Sequence, residues 1–282
     1  MKTDLDFPSF DVHFPELNDF VLRLVDLHKA GRLTSWSDLE EQVSTFFTPA
    51  TMDKMESVIP GWRKMAGFSD GLTLTHVTCV FLGLYRMPEF LSMTPYQQGL
   101  MKWVILLHDL EKEVRENKRD HMHAFRSAVT AARLLPDLGF VNMPEYPAHI
   151  DEWSELTLSA RTNLGEVSND VQDNRKFPQI LAGIERLFGH NTPASLVIKT
   201  ILFHLSVDMK EWPPATPLTE DEMLLFFDLN LLPLLKVMHL GDTDGWSLFE
   251  PIENEKLRKD TIEVFDKLSH LLISSTTRVS NG

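Results

Sequence analysis

The segment Trp103-Val104-Ile105-Leu106-Leu107-His108-Asp109-Leu110-Glu111-Lys112 sets the architecture expected of the whole chain. Five apolar residues in a row, entered through Thr94-Pro95, predict a buried helix, because threonine caps and proline suits the first helical position. The run closes on two polar, metal-capable side chains. A carboxylate taken out of water without a partner is very costly, so Asp109 must be paired, protonated or coordinated. His108 and Asp109 diverge by about 100° around a helix. They are therefore expected to flank a single ion or to serve two neighbouring ones, and the polar text from Glu111 to Asp120 to continue the helix towards the surface.

Helical periodicity extends outward from this segment. Phe20, Leu22, Leu24, Val25 and Leu27 mark a first helix, and Ser37 with Glu40 has the spacing of a capping box. Helices are expected over 50–59, 72–85, 121–135, 179–188, 193–207 and 254–272. One long helix, opened by Thr219 with Glu222 and kinked by Pro233, is expected to reach Leu240. Residues 141–175 look like an insertion with a short helix near 150–159. No strand alternation and no repeat stands out. The fold class is all-α, with residues 1–65 as an N-terminal helical extension, 66–250 as the core and 251–282 as a C-terminal helix and frayed tail, forming one domain.

Four further His or Asp residues lie in apolar settings. His76 shares a helix face with Leu72, Cys79, Val80 and Gly83, at spacings of three and four. His123 opens a helix whose small residues at 124, 127, 128, 131 and 132 allow close packing, and His121 substitutes for it if the helix starts later. His204 follows Val197, Thr200 and Ile201. Asp242 ends the run Leu231 to Gly241, where a carboxylate meets the unfavourable end of the macrodipole and a cation would relieve it. Taken alone, His76 also reads as a core histidine bonded to a carbonyl, and Gly241-Asp242-Thr243-Asp244-Gly245 as a solvated turn. Taken together, His76, His108, Asp109, His123, His204 and Asp242 read as the ligands of a metal centre built in a helical core, with two ions. Four imidazoles and two carboxylates favour a first-row transition metal, whether iron, manganese, nickel or zinc.

The chain has 282 residues, 43% of them hydrophobic, and a formal net charge of −14. That charge argues against a nucleic-acid polymer as partner. A small phosphorylated or polar metabolite stays open, since local cations invert the field within a pocket. The single cysteine, Cys79, fits a reducing compartment. With no basic N-terminal region leading into an apolar run and no apolar segment of bilayer length, a cytoplasmic protein without membrane association is expected.

The order His76 … His108-Asp109 … His123 … His204 … Asp242 resembles the HD-domain superfamily of metal-dependent phosphohydrolases. That family draws H…HD…D from a helical core, and its two-ion members add two histidines before the last aspartate. Leu107 to Lys112 resembles the family's HD-x-G-K form, with Glu111 in the glycine position, and His123 to Ala128 is similar to its H-x-x-x-[GS]-A helix. The resemblance spans residues 70–245 and lacks the G-Y-P signature of the cyclic-dinucleotide branch. It implies hydrolysis of a small phosphate ester or nucleotide by a metal-activated water, with two ions stabilising the attacking and leaving oxygens. Asp109 would bridge the ions. Lys112 would neutralise a phosphate oxygen or donate a proton, unless it is a surface lysine paired with Glu111 or Glu113. Arg119 and Arg126 are candidate anion clamps, or else solvated surface residues. Two rival readings come with the resemblance: a mixed-valent di-iron oxygenase cleaving a C–C or C–P bond, as in proteins similar to myo-inositol oxygenase, and a degenerate binding or regulatory module.

Overall fold

The computed structural model describes residues 6–113, 120–163, 170–210 and 216–280. The protein is all-α. At its centre, helices Leu72–Leu84, Pro95–Leu107, Pro193–Phe203 and Leu231–Ser247 pack on one another, and His123–Leu134 lies against Pro193–Phe203. Thr73 to Leu84 and Ala194 to Phe203 are buried on every side. A helix apolar all round belongs in the interior of a larger assembly, so other helices must cover these two. Pro15–Lys29 and Trp36–Phe46 cover Leu72–Leu84, and Pro251–Ser280 covers Leu231–Ser247. Trp103 donates its indole N–H to the Pro8 carbonyl at 2.9 Å, tying the N-terminal segment to the central helix.

The expected start signals hold at Thr94 and Thr219, and Thr192 caps the helix expected from residue 193. Thr94 with Gln97 and Thr219 with Glu222 form complete capping boxes. Thr192 accepts from the Ser195 N–H. The box expected at Ser37 and Glu40 forms instead at Ser35 and Asp38. There the Asp38 carboxylate reaches back to the Thr34 and Ser35 amides at 2.8 and 3.0 Å.

Three other expectations need correction. The long helix across Pro233 is two helices, Glu220–Phe226 and Leu231–Ser247. Asp228 separates them by accepting from the Asn230 and Leu231 amides, both at 2.8 Å. Pro233 then sits in a first turn, where no intrahelical donor is lost. The C-terminal helix keeps its backbone through Ser280 rather than fraying after Leu272. A short antiparallel hairpin pairs Arg161–Asn163 with Asp170–Gln172, inside the expected insertion and just after helix Tyr146–Leu158. Its strands are too short to carry a legible alternation. Gln172 anchors it, donating to the Thr216 carbonyl at 2.7 Å and accepting from the Ser206 hydroxyl at 2.9 Å.

Candidate metal centre

Helix Pro95–Leu107 stops one residue before His108, and residues 108–113 do not continue it; the rest of the expected continuation, 114–119, lies outside the described residues. The chain leaves as a turn closed by the Lys112 amide on the Asp109 carbonyl at 3.0 Å. This turn aims His108 and Asp109 into the same space. His108 Nε2 lies 3.6 Å from Asp109 Oδ2.

The six sequence-predicted ligands converge in two groups of three. His76, His108 and Asp242 form one; Asp109, His123 and His204 form the other. Within each group the nearest ligand atoms all lie within 4.8 Å of one another. His76 Nε2 is 3.0 Å from Asp242 Oδ1, and His108 Nε2 is 3.9 Å from the same oxygen. In the second group His123 Nε2 lies 3.0 Å from Asp109 Oδ1 and 3.1 Å from His204 Nε2. Asp109 stands between the groups. Its Oδ1 faces His123, and its Oδ2 lies 3.5 Å from His76 Nε2. Asp242 is not at a helix end, as the sequence suggested, but within a helix that runs on to Ser247. Thr243 and Ser247 back-bond to carbonyls one turn earlier, and Arg258 and Asn254 hold Asp244, which keeps this glycine-containing stretch helical. The macrodipole argument for a cation at Asp242 therefore falls, and the neighbouring imidazoles take its place.

Hydrogen bonds behind the ligands fix their protons. His108 Nδ1 meets the Ile105 carbonyl at 2.8 Å, His123 Nδ1 the Asp120 carbonyl at 2.6 Å, and His204 Nδ1 the Ile201 carbonyl at 2.7 Å. A carbonyl only accepts, so each Nδ1 carries the hydrogen and each ring turns its Nε2 to the centre. Metal-ligating histidines are oriented in this way. The Nε2 atoms of His123 and His204 face each other at 3.1 Å, beside a carboxylate oxygen, an arrangement that a cation among them would satisfy. Among the described residues, His76 Nε2, His108 Nε2 and Asp109 Oδ1 are buried without a hydrogen-bond partner. Buried polar atoms are rarely left so. The donor set and its unmet acceptors fit transition-metal ions.

His76 is held by packing instead. The Trp246 indole stacks on its ring, with centroids 4.2 Å apart and planes 20° apart. Gly245 leaves the room: a Cβ there would stand 2.5 Å from His76 Cε1 and Nδ1.

The electrostatics keep His108, His204 and the two carboxylates in their binding forms. Burial, joined by the His123 and His108 imidazoles, pushes His204 well below the usual histidine range. Burial also lowers His108, against the pull of Asp109 and Asp242. Burial works against charge on Asp109, yet the Lys112 ammonium and the His108 and His123 rings outweigh it and hold the carboxyl well below its ordinary value. Asp242 is held low in the same way, by His76 first and then Lys112. Neutral imidazoles and ionised carboxylates are the forms that bind metal.

The remaining sequence-predicted residues divide. Lys112 is no surface lysine: its Nζ lies 2.6 Å from Asp109 Oδ2. Burial would lower its pKa, but Asp109 and Asp242 raise it. Arg126 is engaged by the Asp120 carboxylate and by the Glu111 carbonyl at 2.9 Å, so it braces the turn before His123 instead of standing open to an anion. Arg119 lies outside the described residues. His123, not His121, brings its ring to the centre. The sequence reading missed Gly245 and Trp246. The four-residue spacing of Gly241 and Gly245 was the signal for a close helix crossing, but nothing local pointed to the indole. No family model, curated protein or solved structure matches the chain.

Proposed function

We propose that this protein is an HD-type metal-dependent phosphohydrolase with a binuclear centre, acting on a small phosphate ester or nucleotide. One observation carries the reading: Asp109 turns one carboxylate oxygen to each group of three, the place of a bridging ligand between two ions. His76, His108 and Asp242 would hold one ion, His123 and His204 the other, and Asp109 both. Bound there, divalent transition-metal ions supply Lewis acidity and activate water at neutral pH.

The chain's own groups complete the chemistry. Lys112 holds an ammonium beside Asp109, where it neutralises a non-bridging phosphate oxygen. Five of the six ligands are buried, while Asp242 keeps 26% of its side chain exposed. Substrate therefore enters from the Asp242 side, and the apolar walls behind the other ligands exclude bulk water. The His123 and His204 rings stay fixed by their Nδ1 bonds, so they need not reorganise as charge builds at phosphorus.

The test combines metal replacement with His108→Ala. Manganese or nickel added to metal-stripped protein should restore release of inorganic phosphate from a panel of phosphate esters. His108→Ala should lose both metal and turnover. Full turnover in that variant, or dioxygen uptake by an iron-loaded protein that releases no phosphate, would overturn the assignment.

A further inference from the structure

The opening of the site has a composition that ligand chemistry alone does not require. Trp246 lies four residues beyond Asp242, on the same face of the same helix. With His76 stacked on one face of the indole, 44% of Trp246 is still exposed. Lys112 Nζ stands 5.1 Å from its ring centroid. Leu72, one turn before His76, is 46% exposed. Large apolar side chains left in water beside a polar site mark a surface built for a ligand. A compact sugar phosphate offers such a rim only a few C–H groups. A flat aromatic group offers a second π-face to the indole while its phosphate reaches Lys112.

We propose that Trp246 is a specificity-determining stacking platform, and that the substrate is a phosphate ester carrying a planar aromatic group. The inference rests on the phosphohydrolase reading, which it narrows. The aromatic group is either a nucleobase or a simple aryl ring. Stacking of a base on an aromatic side chain commonly changes affinity by about tenfold or more, and that is the preference expected here over the same phosphate without a ring.

The test uses zinc-loaded full-length protein, zinc being diamagnetic, and three non-hydrolysable phosphonates, the analogues of a nucleoside 5′-monophosphate, 1-naphthyl phosphate and ribose 5-phosphate. The Trp246 indole N–H resonance is assigned as the one missing from Trp246→Phe. An aromatic ligand should shift it by ring current, and the ribose analogue should not. Wild-type protein should bind at least one aromatic analogue about tenfold more tightly than the ribose analogue. Tyr in place of Trp246 should keep most of that preference, and Trp246→Leu with full metal content should lose it. A shift with the nucleoside analogue alone identifies a nucleotide, and one with the naphthyl analogue alone an aryl ester; both support the platform. Equal affinity for all three ligands, or aromatic binding without a Trp246 shift, overturns it. Phosphate release with no aromatic preference would sink this inference and leave the hydrolase reading standing. Trp246-dependent aromatic binding with no phosphate release from any ester would do the reverse.

Discussion

Gly245→Ala is a one-methyl change that should unseat a ligand. The added Cβ would lie 2.5 Å from His76 Cε1 and Nδ1 and 2.6 Å from Val80 Cγ2. Carbon contacts relax to roughly 3.5–4.0 Å, so the ring or the helix must move by about 1 Å. His76 has no free direction, because Trp246 covers its face and its helix is buried from Thr73 to Leu84. Overpacking of this kind costs about 1–3 kcal/mol. Replacing a helical glycine by alanine returns up to about 1 kcal/mol. The net loss of stability should be about 1–2 kcal/mol, read from urea unfolding of the metal-free protein. The larger effect falls on the metal. Ligand distances tolerate only about 0.2 Å, so affinity at the His76 site should drop by about 10–100-fold in a chelator-competition titration. Gly241→Ala is the control: its Cβ would approach Val80 Cγ1 at 3.1 Å and touch no ligand. Wild-type metal affinity in Gly245→Ala, or equal behaviour of the two variants, would refute the reasoning.

Lys112→Met should keep metal stoichiometry but lower kcat by about 10²-fold, the usual effect of removing a group that stabilises transition-state charge; a change under twofold would remove Lys112 from the chemistry. Arg258 donates to both Asp244 oxygens at 3.0 Å, and Arg258→Met leaves that buried carboxylate, among the described residues, with the Asn254 amide as its side-chain donor. The cost should be about 3 kcal/mol, partly recovered by adding Asp244→Asn, and urea midpoints that do not move would contradict this. Burial lowers His239 from 6.5 to about 4 against the opposing pull of Asp242. Above pH 6.5 neither state binds its proton. Between 6.5 and about 4 only the unfolded chain does, so stability falls with falling pH by up to about 3 kcal/mol and levels off below. His239→Phe should flatten that slope in melts from about pH 7 to 4, and parallel curves for the two proteins would exclude His239 as its source.

The helical class was legible because its signals are local. Thr94-Pro95 and Thr192-Pro193 carry their caps within four residues, and the apolar run from Trp103 to Leu107 needs no distant context. The order of His and Asp residues was legible too, since each sits among apolar neighbours that force it inward. What sequence could not reveal was the break after Leu107, which depends on how the following turn meets the Asp120 and Ser127 side chains. Nor could it place Asp242 within a helix, because two glycines nearby read as a turn until Arg258 and Asn254, from the next helix, are known to hold Asp244. Trp246 was invisible for a similar reason. An isolated tryptophan reads as core, and only the crossing of two helices at Gly245 sets it against His76. The bracing contact of Arg126 was not legible because its partner Asp120 sits on the preceding turn, six residues back.

The most direct measurement is anomalous diffraction from crystals grown with manganese. Two peaks should appear about 3.5–4 Å apart, one among His76, His108 and Asp242, the other among His123 and His204, with Asp109 reaching both. A map with no peak between these side chains, or with manganese bound only elsewhere, would contradict the account.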